Sequence, residues 1–211
     1  RAYFITAGIA GTSPDTGTLG FAAWARWLVD FDLGHHVLPE EAPEIPHGYL
    51  PMDDAGTNVY RLNEKLVRKA YELTKDLKLT DSEDAIANRA KYPQQVGKKP
   101  FVAMCDTVTG DNFWGGKKMS QRAEYIMGLK TQNQGRYCTT QMEDNATATV
   151  LARHGYLQRY LSVRTASDFD QPYPGQTVED VLTNFPGFVP AVANAYAAAS
   201  TVADHLLKQN T

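Results

Sequence analysis

Short apolar runs, each closed by turn-forming residues, alternate along this chain with segments of helical period. Residues 3–7 are β-branched and aromatic, which predicts a short buried strand closed by a glycine turn at Gly8, Ile9, Ala10 and Gly11. Residues 12–20 are a loop of turn formers, and residues 21–31 are apolar enough for one strand buried on both faces. Residues 38–56 hold four of the eleven prolines, marking a long surface excursion in which Asp53 and Asp54 form a turn. Asn63 caps a predicted helix reaching about Asp76, with Leu62, Leu66, Ala70 and Leu73 on one face.

Residues 82–92 are loosely helical and end at Pro93, and residues 101–108 predict a third strand. A helix over 120–129 starts at Ser120 as cap. A strand over 137–141 then feeds a helix over 143–154, and a strand over 160–166 ends at Ser167 and Asp168. The chain closes on a helix over 189–208, with Phe185, Phe188, Val192, Tyr196, Ala199 and Val202 expected to face the core. Strands alternating with helices place the chain in the α/β class of layered folds.

Composition narrows the function classes. With 211 residues, 43% hydrophobic and 21% charged, the chain supports one sizeable core and so a single domain. A net charge of −3 without any basic run excludes a nucleic-acid footprint. No segment approaches the roughly 18 consecutive apolar residues of a spanning helix. The chain opens directly on an apolar run, so preceding sequence is expected to be missing. Cys105 and Cys138 fit either a disulfide or two buried thiols, and the compartment stays open. Asn145-Ala-Thr147 is formally a glycosylation sequon, discounted because it falls in a predicted helix.

Candidate chemistry gathers after the predicted strands, where ligands collect in open α/β sheets. Four polar or glycine-containing segments lie there: residues 8–11, 110–114, 142–143 and 167–168. Each has a plainer reading. The glycines suit a tight strand exit, Phe113 and Trp114 a core, Glu143 a helix N-terminus, and Asp168 a turn. His35, His36 and His47 lack zinc spacing, so no metal site is expected. Lys117 and Lys118 read as a solvated pair, and Asp144 and Asp170 as local caps or pairs.

The joint order of these segments is more specific. Phe4-Ile-Thr-Ala-Gly-Ile-Ala-Gly11, Thr107-Val-Thr-Gly-Asp-Asn-Phe-Trp-Gly115, Tyr137-Cys-Thr-Thr-Gln-Met-Glu-Asp-Asn-Ala146 and Arg164-Thr-Ala-Ser-Asp-Phe-Asp-Gln-Pro-Tyr-Pro-Gly-Gln176 resemble the purine nucleoside permease family. That family lies within the nucleoside phosphorylase/methylthioadenosine nucleosidase superfamily. The resemblance covers essentially the whole chain. It implies a three-layer α/β/α sandwich with a central mixed β-sheet, nucleoside phosphorylase-like. It also implies that residues 1–211 are one such domain, lacking its N-terminal part, with residues 33–100 as the family's insertion.

By that resemblance the partner is a purine nucleoside, and the activity a nucleosidase or phosphorylase type of N-ribosyl cleavage. Binding linked to nucleoside transport, without catalysis, is the alternative. Glu143, with Met142 beside it, would accept the ribose hydroxyls, as an acceptor-only carboxylate suits. Phe113 would stack on the base with Trp114 near its edge, and Asp168 would donate a proton at N7. Arg164, four residues earlier on the same strand, would orient Asp168 or a nucleophile. Gly8, Ile9, Ala10, Gly11 and Gln141 would complete the binding wall. No cofactor is implied, phosphate being a candidate co-substrate. Ile9 and Thr6 stand where phosphorylases carry phosphate-holding residues, which leaves hydrolysis and phosphorolysis both open. A homo-oligomer is the expected assembly, and an extracellular or membrane-associated setting fits the resemblance.

Overall fold

A computed structural model describes residues 2–52 and 56–209, so the turn expected at Asp53 and Asp54 lies outside the described residues. In chain order the strands are β1 (Phe4–Thr12), β2 (Ala22–Trp24), β3 (Trp27–Asp30), β4 (His35–His36), β5 (Tyr49–Leu50), β6 (Val59–Arg61), β7 (Val102–Met104), β8 (Asp106–Thr109), β9 (Tyr137–Gln141) and β10 (Tyr160–Phe169). The main sheet has the order β6-β3-β8-β9-β1-β10-β2-β7, while β4 and β5 form a separate hairpin. β1 runs parallel to β10, and β8 to β9 and β3, whereas β1/β9, β10/β2 and β3/β6 are antiparallel. The sheet is therefore mixed.

Residues 21–31 are not one strand. The run breaks at Ala25 and Arg26, so β2 pairs with β10 and β7 while β3 pairs with β6 and β8. Residues 101–108 divide in the same way at Cys105, into β7 and β8. Two neighbouring chain segments thus pass together through both ends of the sheet order, which curls the sheet round on itself. Asp106 is the reason for the break. It is fully buried, its Oδ1 accepts from the backbone N–H groups of Arg26 and Trp27 at 2.9 Å, and its Oδ2 accepts from Arg136 N and the Arg26 guanidinium at 2.8 Å. A buried carboxylate needs such donors, and the N–H groups that it takes leave the strand ladder. Cys105 and Cys138 form a disulfide at this junction, which answers the question that their spacing left open.

The helices are α1 (Glu64–Thr74), α2 (Glu83–Arg89), α3 (Lys117–Lys130), α4 (Asp144–Arg153), α5 (Val178–Thr183) and α6 (Phe188–Lys208). Asn63 caps α1 and Ser82 caps α2, each accepting from a first-turn N–H, as Asn and Ser side chains do. Adjacent positions on β3 serve two cores. Leu28 joins Val67, Ala148, Leu161, Ala198 and Val202, while Val29 joins Val108, Ile126, Met127 and Tyr137. Helices cover both faces of the sheet, giving a three-layer α/β/α sandwich around a central mixed sheet.

Three further expectations change. Ser120 does not cap α3, which begins at Lys117, but lies buried inside it. The glycine segment 8–11 is not a turn, because β1 continues through it to Thr12. The expected core face of α6 holds at Val202 and Ala199 but fails at the four larger residues before them. Phe185, Phe188, Val192 and Tyr196 are exposed, while Ala191, Ala195, Ala198 and Val202 face the sheet. Alanines let the helix approach β1 and β10 closely, and the Asn194 amide fixes it by donating to the Gly20 and Thr80 carbonyls. Close approach of the small-residue stripe outweighs burial of the larger side chains.

Candidate functional site

A cleft of about 180 Å³ opens where the carboxyl ends of β8, β9 and β10 meet the far half of β1. It is lined by Ile9, Ala10, Gly11, Phe113, Trp114, Gln141, Met142, Glu143, Arg164 and Asp168, all of them expected there. Gly8 is not in the lining. It lies opposite Arg164 in the strand register, and a Cβ at Gly8 would collide with the guanidinium. This glycine keeps a lane open for Arg164 rather than touching a ligand.

At one end of the cleft three charges interlock. The buried Arg164 guanidinium reaches Asp144 Oδ1 through Nη2 at 2.6 Å and Asp144 Oδ2 through Nε at 3.3 Å. Nη2 also meets Glu143 Oε2 at 2.9 Å, and Nη1 donates to the Ile9 carbonyl at 3.1 Å. Asp144 is fully buried and accepts further from Ser162 Oγ at 2.5 Å. Arg164 therefore makes no hydrogen bond to Asp168, one of the two groups it was expected to orient; its partners are the carboxylates at the start of α4 and the Ile9 carbonyl of β1. Glu143, with a side chain 64% exposed, keeps a free face toward the cleft mouth.

Gln141 holds this end in place instead of presenting its amide to a ligand. Its Oε1 accepts from the N–H groups of Glu143 and Asp144 at 2.8 and 2.9 Å, and its Nε2 donates to Thr109 Oγ1 at 2.8 Å. A side-chain carbonyl thus satisfies the open amides at the start of α4, for which the Glu143 side chain makes no cap bond. Thr6, noted for its position beside the glycine segment, is engaged with the Tyr160 hydroxyl at 2.8 Å.

The other end is dry. The parallel register of β1 and β10 shifts between Ala10 and Gly11, which brings Asp168 opposite Gly11. Such an irregularity re-aims the side chain next to it. Asp168 is buried, and Ser167 Oγ donates to its Oδ1 at 2.6 Å. Oδ2 lies on the Gly11 side, where a Cβ would come within 3.2 Å of it. Burial first, and then the nearby Asp170 charge, push the Asp168 carboxyl up to about 7 against the opposing Ser167 hydrogen bond. An acid of that kind still carries its proton on the acid side of neutrality, where an ordinary aspartate is ionised.

Aromatic rings supply the remaining wall. Trp114 is buried and stacks on Phe31 with centroids 5.0 Å apart, whereas Phe113 is exposed and meets Phe185 edge-on at 5.8 Å.

The family model for purine nucleoside permeases matches residues 1–211. This chain belongs to the purine nucleoside permease family. A probable purine nucleoside permease of Schizosaccharomyces pombe is 34% identical over 97% of this chain and 67% of its own length. The purine nucleoside permease of Candida albicans is 31% identical over 100% of this chain, which spans only 57% of that relative. Among solved structures, the S-adenosylhomocysteine nucleosidase of Streptococcus pyogenes superposes with a TM-score of 0.60 at 20% identity, over 96% of this chain and 67% of the other. A 5′-methylthioadenosine/S-adenosylhomocysteine nucleosidase of Neisseria meningitidis, in complex with methylthio-immucillin-A, gives 0.59 at 14% identity, over 95% and 68%. These likenesses establish a nucleoside phosphorylase-like fold for this permease-family chain.

Four lining residues of the permease-family chain escaped the sequence reading as site residues: Asn112, Thr140, Ser167 and Phe185. Asn112 and Ser167 sit inside motifs already singled out, so adjacency to Phe113 and Asp168 was the available signal. Thr140 follows from strand alternation only once the sheet order is known, and Phe185 was assigned to the core. The histidines stand elsewhere, with His35 and His36 in β4 and His36 bonded to the Asp32 carbonyl. No helix among the described residues is long and apolar enough to cross a membrane.

Proposed function

We propose that this cleft binds a purine nucleoside and cleaves its N-ribosyl bond, with Asp168 as acid toward the base and Glu143 on the ribose. The observation that carries the reading is one cleft with two unlike carboxyl groups: a buried Asp168 whose proton is held toward neutral pH, and a charge-paired, exposed Glu143. Enzymes that need an acid and an anion at neutral pH separate their carboxyls in this way. Membership of a family named for purine nucleosides supports the choice of ligand.

Ser167 occupies Asp168 Oδ1, so the acidic proton sits on Oδ2, on the Gly11 side. Donated to purine N7, it lets the base leave neutral as the C1′–N9 electron pair moves into the ring. Positive charge then grows on the ribose, where Glu143 accepts the hydroxyls and stabilises the oxocarbenium-like centre. Arg164 holds Glu143 in place through their ion pair. Phe113, half exposed at the rim, offers a stacking face to the base.

Water is the favoured acceptor at C1′. The one cation in the described lining, Arg164, is already held by Glu143, Asp144 and the Ile9 carbonyl, so it is poorly placed to take phosphate. Incubation of the protein with inosine or adenosine, with and without inorganic phosphate, followed by chromatography of free base, tests this. Base release without phosphate is expected. Release only with phosphate would replace water by phosphate as acceptor. Tight binding with no release under either condition would leave binding linked to uptake, which the family name favours, and would reject the chemistry.

A further inference from the structure

The proposed chemistry makes no use of a second buried acid beside Asp168. Asp170 follows two residues later on a chain that is still extended, since its N–H continues the ladder by donating to the Thr12 carbonyl at 2.9 Å. Side chains two apart on an extended chain share a face. Phe169 between them turns the other way, onto Tyr92. Asp170 is fully enclosed, with Tyr137 of β9 donating to its Oδ2 at 2.6 Å and Ser120 of α3 at 2.9 Å. Gln171 holds Ser120 from behind at 3.2 Å, and Asp170 Oδ1 has no hydrogen-bond partner.

We propose that Asp170 is a positioning residue for Asp168, a fixed buried anion whose repulsion keeps the proton on the acid that faces the cleft. The proposal rests on the acid role of Asp168 argued above. No cation acts on either carboxyl among the groups that bear on them. Those groups are Ser167 and Asp170 on Asp168, and Tyr137, Ser120, Gln171 and Glu124 on Asp170, with Tyr92 nearby on the chain after α2. Two neighbouring buried carboxyls cannot both ionise cheaply, so the first proton leaves the group with more hydroxyl donors, two against the single Ser167 bond on Asp168. That group is Asp170. Burial raises it to about 6, held down by the Tyr137 and Ser120 bonds, whereas Asp168 stands at about 7. Tyr137 stays a donor because burial and the Asp170 charge hold its phenol well above the usual range.

Asp170→Asn is the decisive variant. The amide oxygen can still accept from Tyr137 and Ser120, so the packing is retained while the charge is lost. Carboxyl carbon NMR follows Asp168 directly in both proteins, and base release is measured across pH in parallel. The Asp168 midpoint is expected to fall by on the order of one pH unit in the variant. The alkaline limb of base release should move acidward with it. An unchanged midpoint, or an activity loss equal at every pH, would assign Asp170 a purely structural role and overturn the proposal. The wild type alone supplies a second arm should the variant not fold: Asp170 must ionise before Asp168, and the reverse order overturns the proposal. Because the NMR reads ionisation without turnover, a protein that releases no base defeats the proposed reaction while leaving this test intact.

Discussion

The two ends of the cleft place the same functional group in opposite conditions. Glu143 and Asp144 meet a guanidinium that is shared between them, and Glu143 remains open to solvent. Asp168 and Asp170 accept from hydroxyl groups, with neither carboxyl exposed, and the Asp170 charge bears on Asp168. At the first end the carboxylates pair with a guanidinium, and the exposed Glu143 can still accept hydrogen bonds and balance positive charge. Burial holds the Asp168 proton up to about pH 7, so the second end can give a proton. The chemistry of a carboxyl here is decided by what surrounds it, and the strongest tests exchange or remove those surroundings.

The largest effect is expected at the dry end. Asp168→Asn keeps the shape and the Ser167 contact but removes the transferable proton. Turnover of inosine should fall by roughly 10²–10⁴-fold, the usual worth of a positioned acid, with the dissociation constant nearly unchanged. Single-turnover kinetics beside calorimetric titration separates the two quantities. A variant that releases base at the wild-type rate would remove Asp168 from the reaction.

At the charged end the corresponding change acts on folding. Arg164→Met leaves Asp144 buried, facing Ser162 and Tyr160 but no cation. Removing one partner of such a pair costs about 3–5 kcal/mol. Denaturant unfolding should show that loss, and Asp144→Asn combined with Arg164→Met should recover part of it. A double variant no more stable than Arg164→Met alone would mean that the buried charge is not the cause.

Most of the fold was legible in the chain, and the errors share one cause. Capping at Asn63 is a matter of neighbours, and the site behaves as its residue type predicts. The break in residues 21–31 depends on Asp106, about eighty residues away, and nothing in the local apolar run announces it. The glycines of β1 resemble a turn, yet the requirement at Gly8 comes from Arg164 on the neighbouring strand. On α6 the large apolar residues suggested a core face that the alanine stripe occupies instead. The candidate site was legible as four short motifs at strand ends. Its inner couplings, Arg164 with Asp144 and Asp170 with Tyr137 and Ser120, join elements far apart in sequence and so lay beyond a local reading.

Stability against pH probes the dry end. A folded-state value of about 7 against 3.8 means that the native protein holds the Asp168 proton more tightly than the unfolded chain. The sign follows. Below about pH 4 both states are protonated and nothing is lost, and stability then falls as pH rises toward 7. The slope approaches about 1.4 kcal/mol per pH unit inside that window, less whatever the denatured chain retains. Asp168→Asn should therefore match wild type near pH 4 and exceed it in denaturation midpoint at pH 8. Equal midpoints at pH 8 would mean that Asp168 is not held protonated.

Glu143→Gln is the mildest change. Its side chain is mostly exposed and Arg164 keeps Asp144, so the fold should be unaffected. What disappears is the charge on an acceptor, and hydrogen bonds to charged groups contribute about 1.5–3 kcal/mol, or roughly 10–100-fold in kcat/KM. Part of the loss should appear in KM, because the ribose hydroxyls are held in the ground state. The remainder should appear in kcat, because the carboxylate also faces the charge that develops on the sugar. A second substrate isolates the contact. Wild type should discriminate against 2′-deoxyinosine, which lacks one of the hydroxyls proposed for Glu143, and Glu143→Gln should lose most of that discrimination. If the variant and wild type prefer inosine by the same factor, the ribose lies elsewhere. The contrast between the two ends would then stand as electrostatics without the assigned substrate.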